Sequence, residues 1–365
     1  MALFLLPLPL ALAIAAAACH GLHPQPLSEP ERRERATGIR DLIAGTGGSE
    51  VWIKPPAMPR HGQRTEPPLE VLAAPHAYRE VLSALELQRG KDGLELKGNQ
   101  ITVGGLHTIS LGVTRRGQPI CRIHLREVPR LLRAAIVIDD LGADRAGPHK
   151  LLALPYPFTF SILPHLHYSA ATAEEAHRGG REVMLHLPME ALPGPHPLPG
   201  EGDIRTDMSA AEVERAIQND LATVPFAAGV NNHMGSQATQ SAPLMAEVMK
   251  VLAEHHLYFI DSRTTAASVA LDEARREGLP AFYRAVFLDD TESVPYTLGQ
   301  LRRFRRVVEE QGAALAIGHP HATTIAALAK FLPELDQADI ELVKVSELVH
   351  LPEVARLHPA AKPRS

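Results

Sequence analysis

From about Arg133 onward, short apolar runs alternate with segments of helical period. The apolar runs predict strands at Ala134–Ile138, Phe158–Ile162, Glu182–Leu185, Ala227–Val230, Leu257–Ile260, Tyr283–Phe287, Ala313–Ile317 and Glu341–Val345. The predicted helices are Ser169–Gly179, Ser209–Val224, Ala242–His255, Leu298–Gln311 and Thr323–Phe331. Buried strands that alternate with helices form parallel sheets covered on both faces. With seven or eight such strands, we predict an α/β fold whose sheet closes into a distorted (β/α) barrel.

The residues before Arg133 have a different hydrophobic and polar pattern. Residues 20–68 are rich in Pro, Gly and charge without a sustained period, which predicts a linker with little fixed structure. A helix at His76–Leu87 followed by short alternating runs predicts a small α+β accessory domain over residues 69–130. The barrel domain then covers residues 131–350, and residues 351–365 are expected to form a disordered tail.

The chain starts with an apolar segment, Ala2–Cys19, that carries no charge. An apolar core followed by small residues is typical of a secretory signal, so we expect export. Two alternatives remain: a retained membrane anchor, or a lipid on Cys19. Pro7 and Pro9 weaken the segment as a membrane-spanning helix.

Length and composition narrow the classes of protein. A chain of 365 residues exceeds one typical core, which favours more than one domain. The 37 basic and 42 acidic residues leave a net charge of -5, so no basic surface indicates a nucleic-acid partner. With only Cys19 and Cys121 present, neither a disulfide framework nor a cysteine metal site can form. Any metal must therefore be held by His, Asp or Glu. The sequence does not define an oligomeric state.

Polar side chains directly follow several of the predicted strands. They are Asp139 and Asp140 after AAIVI, His186 after EVML, the run Asn231–His233 after AAGV, Asp261 after LYFI, and His319 after AALAI. The carboxyl ends of parallel strands meet on one face, which carries the active site in α/β enzymes. We therefore expect these side chains to form one site.

The two adjacent carboxylates can divide their work. One of Asp139 and Asp140 can bind a metal while the other accepts a proton, although such a pair can also simply cap the next helix. His186 and His233 offer imidazoles that suit zinc or another borderline divalent metal. Glu190 could orient His186 from outside the metal's ligand shell.

Other polar residues have less direct roles. The amides of Asn231 and Asn232, with Ser236 nearby, can donate to a substrate carbonyl or oxyanion, or they can support the site from outside the ligand shell. They can also simply form a turn. Asp261 could hold an imidazole in its reactive tautomer. Asp289 is a weaker candidate that could act only as a cap or as a partner of Arg284, whereas His319 is placed to act as a general acid.

Taken together, these motifs resemble the divergent polysaccharide deacetylase family over about residues 131–350. The likeness rests on Ile138–Gly142, His186–Glu190, Asn231–Ser236, Phe259–Ser262, Phe287–Asp289 and Ile317–Pro320. The resemblance implies a distorted β/α barrel and kinship with metal-dependent hydrolases of carbohydrate esters and amides. The sequence is also similar to envelope proteins of Gram-negative bacteria, and this resemblance implies a periplasmic location.

The resemblance also implies roles for single residues. By position, Asp139 resembles the general base, Asp140 a metal ligand and His186 the first metal-binding histidine. The main branch has a second histidine four residues after the first, where this chain has Glu190, so we predict His233 in its place. His319 resembles the late histidine that serves as the acid.

Two functions follow from this set. The first is a metal-dependent hydrolase that removes acetyl groups from N-acetylated sugars of the cell envelope, with zinc as the expected ion. The second is a non-catalytic envelope protein that binds a glycan or a partner through the same pocket. Metal content of the purified protein would distinguish the two.

Overall fold

The computed structural model describes residues 27–56, 67–195 and 198–351. The expected signal or anchor at residues 1–19, part of the expected linker and the expected tail beyond Leu351 lie outside these ranges. No helix in the described ranges is long and apolar enough to cross a bilayer. The chain divides into two compact units, Met1–Pro129 and Arg130–Ser365.

In its described residues, the amino-terminal unit is a mixed five-stranded sheet with two α-helices. Its elements are α1 (Glu29–Gly47), β1 (Val51–Ile53), β2 (Leu69–Ala73), α2 (Pro75–Glu86), β3 (Leu94–Val103), β4 (Leu106–Arg115) and β5 (Gln118–Glu127). The strand order is β1-β2-β5-β4-β3, and only β2 and β5 pair in parallel. Ile43, Val81 and Ile123 are fully buried in its core.

The prediction of a linker is wrong for the described part of residues 20–68. Helix α1 begins with a capping box formed by Ser28 and Glu31, which satisfies backbone N–H groups at the helix start. Ile39 and Ile43, one turn apart, are buried in the core of the unit. The hydrophobic periodicity was too sparse to predict this helix because charged residues, proline, glycine and threonine occupy most of its other positions.

The carboxyl-terminal unit is built on parallel strands. They are β6 (Leu132–Leu141), β7 (Thr159–Ile162), β8 (Glu182–Met189), β9 (Ala227–Met234), β10 (Tyr258–Asp261), β11 (Ala281–Tyr283), β12 (Val286–Phe287), β13 (Ala313–Gly318) and β14 (Ile340–Leu342). The helices are α3 (Ala146–Leu152), α4 (Ser169–Arg178), α5 (Ala210–Thr223), α6 (Ala242–Glu254), α7 (Ala270–Arg276), α8 (Val294–Gln311), α9 (Ala322–Gln337) and α10 (Val345–Val349). The order is β11-β10-β9-β8-β7-β6-β13-β12, with β14 also beside β6. The predicted α/β fold with a distorted barrel is confirmed.

The barrel has a seam where the sequence predicted a single strand, Tyr283–Phe287. The chain there forms two strands, β11 and β12, which lie at opposite edges of the sheet. Between them, the Arg284 N–H donates to the Asp261 carbonyl and the Ala285 N–H donates to the Leu315 carbonyl. Two consecutive residues thus connect the two edges of the curled sheet.

A buried polar cluster involves the first residue of β8. The Glu182 carboxylate accepts hydrogen bonds from the Tyr258 hydroxyl at 2.8 Å, the Thr159 hydroxyl at 3.1 Å and the Ser346 N–H at 3.0 Å. Gly229 lies against the ring of Tyr258, and a Cβ atom at this glycine would lie 2.2 Å from a ring carbon. Strand β9 therefore needs a glycine here.

We expect Gly229→Ala to destabilise the protein by about 1–3 kcal/mol, since the added methyl group overpacks a buried position. The matched control is Gly299→Ala, an exposed position inside α8 with no atom within 4 Å of the added Cβ. That change should stabilise the protein by up to about 1 kcal/mol, because alanine has the higher helix propensity. Urea unfolding of the full chain checks both; equal midpoints for Gly229→Ala and wild type would contradict the packing argument.

Candidate metal and acid–base site

The two adjacent carboxylates at the end of β6 face one cluster. Successive strand residues normally point to opposite faces. Here the pairing of β6 with β7 shifts register between Ile138 and Leu141, and Asp140 has a φ of 56°. This irregularity re-aims a side chain, as β-bulges near active sites do. As a result, His186 Nε2 lies 3.5 Å from Asp139 Oδ2 and 3.2 Å from Asp140 Oδ1.

Asp140, His186 and His233 form a group of possible metal ligands. Asp140 Oδ1 lies 3.2 Å from His186 Nε2 and 3.1 Å from His233 Nδ1, and the two nitrogens are 3.1 Å apart. Asp140 Oδ1 is nevertheless buried and has no well-directed hydrogen bond among the described residues. Tetrahedral zinc with bonds of about 2.0–2.1 Å places its ligand atoms about 3.3 Å apart. The donor atoms and their spacing fit a divalent cation.

Electrostatics favour an ionised Asp140 and a positive charge beside it. Burial alone would raise the pKa of Asp140, but His186 and His233 beside it lower that pKa well below the ordinary value. Burial alone would likewise lower the pKa of His186, and the nearby charges of Asp139 and Asp140 outweigh burial and raise it. Two carboxylates in a largely buried place therefore need positive charge nearby, either a proton on an imidazole or a metal ion.

Asn231 links the base candidate to a ligand candidate. Its Oδ1 is 2.9 Å from His186 Nδ1, and its Nδ2 donates to Asp139 Oδ1 at 2.9 Å and Oδ2 at 3.2 Å. An acceptor at Nδ1 places the imidazole proton there and leaves Nε2 of His186 with a lone pair directed at the cluster. The Ser161 hydroxyl also donates to Asn231 Oδ1, at 2.6 Å, and Asn231 Nδ2 lies 3.2 Å from Ser262 Oγ.

The expectation that Asn231 donates to a substrate is therefore wrong. Its side chain is fully buried, and both its amide oxygen and its amide nitrogen are hydrogen-bonded within the protein. The role that the geometry supports is to hold Asp139 and His186. Ser161 was not singled out from the sequence, although a serine within the fully buried strand β7 is itself a signal of a polar partner.

His319 and Asp289 form an oriented pair beside the cluster. His319 Nδ1 is 3.0 Å from Asp289 Oδ1, while Asp289 Oδ2 accepts the His319 N–H at 2.6 Å and the Thr324 hydroxyl at 2.7 Å. His319 Nε2 is 3.7 Å from Asp140 Oδ2. Burial alone would lower the pKa of His319, but the Asp289 hydrogen bond and the surrounding carboxylates raise it to about 9. At neutral pH His319 carries a proton that it can donate.

Asp289, His319 and His321 make a second group of possible ligands. Both oxygens of Asp289 already accept hydrogen bonds from His319 and Thr324. We therefore interpret Asp289 as the acid that orients His319 rather than as a metal ligand. The sequence had ranked Asp289 below Asp261 for such a role.

The prediction that Asp261 holds an imidazole is wrong. Asp261 Oδ1 accepts the Arg263 N–H at 2.8 Å, and Oδ2 accepts the Ser268 hydroxyl at 2.9 Å. Asp261 thus stabilises the loop after β10, as an aspartate in a turn does. The structure gives it no catalytic contact among the described residues.

Glu190 fastens two loops together. Its Oε2 accepts the Thr206 N–H at 2.7 Å and the Thr206 hydroxyl at 2.6 Å, and its Oε1 accepts Gln237 Nε2 at 2.9 Å. The prediction that Glu190 orients His186 is therefore wrong, since both its oxygens are bonded to other residues. Glu190 joins the segment after β8 to the segment after β9.

Asn232 and Ser236 also act on loops. Asn232 Nδ2 donates to the Met234 carbonyl at 2.8 Å, and its Oδ1 accepts the Ser262 N–H at 2.9 Å. Ser236 Oγ accepts the Leu192 N–H at 3.0 Å. Asn232 is buried as well, so the expected donation to a substrate is wrong for it. The turn that was kept as the alternative describes only Ser236, because Asn232 lies in strand β9.

The chain belongs to the divergent polysaccharide deacetylase family, whose model matches residues 136–349. The match covers the whole cluster built from β6, β8, β9 and β13. The resemblance inferred from the motifs is thereby confirmed, and the fold is that of a deacetylase-like barrel.

Proteins similar to this chain occur in bacteria. The chain is 37% identical over 222 residues to the uncharacterized protein YibQ of Escherichia coli, covering 61% of this chain and 69% of YibQ. It is 37% identical over 216 residues to an uncharacterized protein of Haemophilus influenzae, covering 59% of this chain and 76% of that protein. A crystal structure of an uncharacterized protein from Agrobacterium tumefaciens aligns with a TM-score of 0.57 at 25% identity, over 60% of this chain and 89% of that chain.

Proposed function

We propose that this protein is a metal-dependent hydrolase that removes acetyl groups from N-acetylated sugars of the bacterial envelope. One observation carries the proposal: the triangle of Asp140, His186 and His233 lies beside a second carboxylate, Asp139, and a protonated imidazole, His319. Amide hydrolysis needs an electrophilic centre, a base and an acid, and this cluster offers one of each. Membership of a polysaccharide deacetylase family supports a carbohydrate substrate.

Asp140, His186 and His233 would hold the divalent ion. Zinc suits two imidazoles and one carboxylate, with an open position left for the reactants. A bound divalent ion polarises a carbonyl and lowers the pKa of a water molecule. Asn231 keeps the Nε2 lone pair of His186 available for this role.

Asp139 is the general base of the proposal. Its carboxylate is held by the Asn231 amide, and its Oδ2 lies 3.5 Å from His186 Nε2, at the edge of the ligand triangle. From this place it takes a proton from the water that adds to the amide carbonyl carbon. It keeps its orientation because Asn231 donates to both of its oxygens.

His319 is the general acid. Its Nε2 faces the cluster while its Nδ1 is paired with Asp289, which favours the protonated imidazole. As the carbon–nitrogen bond breaks, His319 gives its Nε2 proton to the leaving nitrogen. Water has then been added across the amide bond, and the products are acetate and a free amino sugar.

The apolar, uncharged Ala2–Cys19 segment supports export, and we propose the periplasm as the place where the substrate is met. The test of function is acetate release from N-acetylated chitin and peptidoglycan oligomers by the zinc-loaded full chain. We expect release that stops when a chelator is added and returns with zinc. Zinc binding without acetate release from any oligomer would favour the binding-protein alternative.

A further inference from the structure

The seam of the barrel lies between the two halves of the site. On one side, Ser262 follows β10 and contacts Asn231, which holds Asp139. On the other side, Phe287 ends β12 and its ring lies 5.2 Å from the ring of His319. The strands at the two edges, β11 and β12, are not paired with each other. The relative position of base and acid therefore depends on what joins the edges.

Arg284 joins them with its side chain as well as its backbone. Its Nε donates to the Ser262 carbonyl at 2.6 Å and its Nη2 donates to the Arg263 carbonyl at 2.9 Å. Its guanidinium also lies over the Phe287 ring, 4.9 Å from the centroid. The planar guanidinium thus donates to the residues that follow β10 and packs on the last residue of β12.

The position of this guanidinium carries a desolvation cost that is high for a contact with a purely structural role. The hydrogen bonds of its guanidinium go to neutral carbonyls, and no carboxylate of the described residues forms an ion pair with it. Burial lowers the pKa of Arg284, while Asp290, Asp261 and Asp139 act in the opposite direction through their charges. A partly buried cation without a paired carboxylate loses hydration that neutral carbonyls only partly replace.

We propose that Arg284 is a positioning residue that sets the position of the Asp139 side of the site relative to the His319 side. The inference rests on the proposed function for its effect on turnover, but not for its effect on geometry. A guanidinium can hold two carbonyls and a ring at once because its donors lie in one rigid plane. A lysine keeps the charge and loses this fork.

The test compares Arg284→Lys and Arg284→Met with Arg302→Met, a matched change of an exposed arginine on α8. We expect both Arg284 variants to keep one zinc ion and to lower kcat by about 10–100-fold with little change in KM, since small misplacements of catalytic groups cost about that much. The Lys variant should not rescue the Met variant. Arg302→Met should match wild type.

A second readout separates this inference from the proposed function. The ring resonances of His319, assigned with His319→Gln, should shift in NMR spectra of both Arg284 variants and remain in place in Arg302→Met. Unchanged resonances in a folded Arg284→Lys protein would overturn the inference whether or not acetate is released. If the wild-type protein releases no acetate but the His319 resonances shift in the Arg284 variants, the positioning role is supported and the hydrolase function is rejected.

Discussion

Asp139→Asn is expected to lower turnover by about 10²–10⁴-fold while the divalent ion stays bound. The amide keeps the size of the carboxylate and can still accept from Asn231, but it cannot take a proton at neutral pH. Acetate release and metal content would be measured on the same samples. The role of base, not of ligand, is what this variant isolates.

Two comparisons make this result interpretable. Asp140→Asn should lose most of the metal, because a neutral amide is a poorer ligand than a carboxylate for a divalent cation. Asp144→Asn should match wild type, since Asp144 is exposed and only accepts from the Ala146 and Gly147 N–H groups at the start of α3. If Asp139→Asn loses the metal and Asp140→Asn keeps it, the two roles are reversed.

His186→Ala is expected to remove nearly all zinc, because it deletes one of three protein ligands. Asn231→Ala should weaken zinc binding by about 10–100-fold, as the loss of a partner that orients a ligand does. Glu190→Ala is the matched control: its carboxylate contacts only loop residues, so zinc affinity should remain near that of wild type. Calorimetric titration of the metal-free proteins measures all three.

The same series of variants tests whether Glu190 contacts the metal site. Complete loss of zinc in Glu190→Ala, with His233→Ala unaffected, would make Glu190 a ligand in place of His233. Equal affinity in His186→Ala and wild type would place the metal elsewhere in the chain.

The barrel was predictable because its information is local. Apolar runs of four or five residues, each followed by a polar side chain, identify strands and their carboxyl ends without knowledge of the tertiary structure. That pattern placed Asp140, His186 and His233 at one site, and the family resemblance implied that they are the ligands. The parallel register that places His186 beside Asn231 and Pro188 beside His233 brings them together.

The departures have non-local causes. Asp261 and Asp289 both lie at the carboxyl ends of strands, and the sequence alone does not show which of them reaches an imidazole. The curl of the sheet decides this, because β12 pairs with β13 and so brings Asp289 next to His319, 30 residues away. The bulge at Asp140 and the seam at Arg284 also arise from closing the barrel, and neither changes the hydrophobic pattern.

Metal content and ligation of the purified wild-type chain test the central claim most directly. We predict about one zinc ion per chain, with an X-ray absorption spectrum that shows two imidazole nitrogens and at least one oxygen at about 2.0–2.2 Å. The combined variant of Asp140, His186 and His233, each changed to alanine, should bind none. A wild-type chain that binds no divalent ion, or a combined variant that binds as much as wild type, would contradict the account.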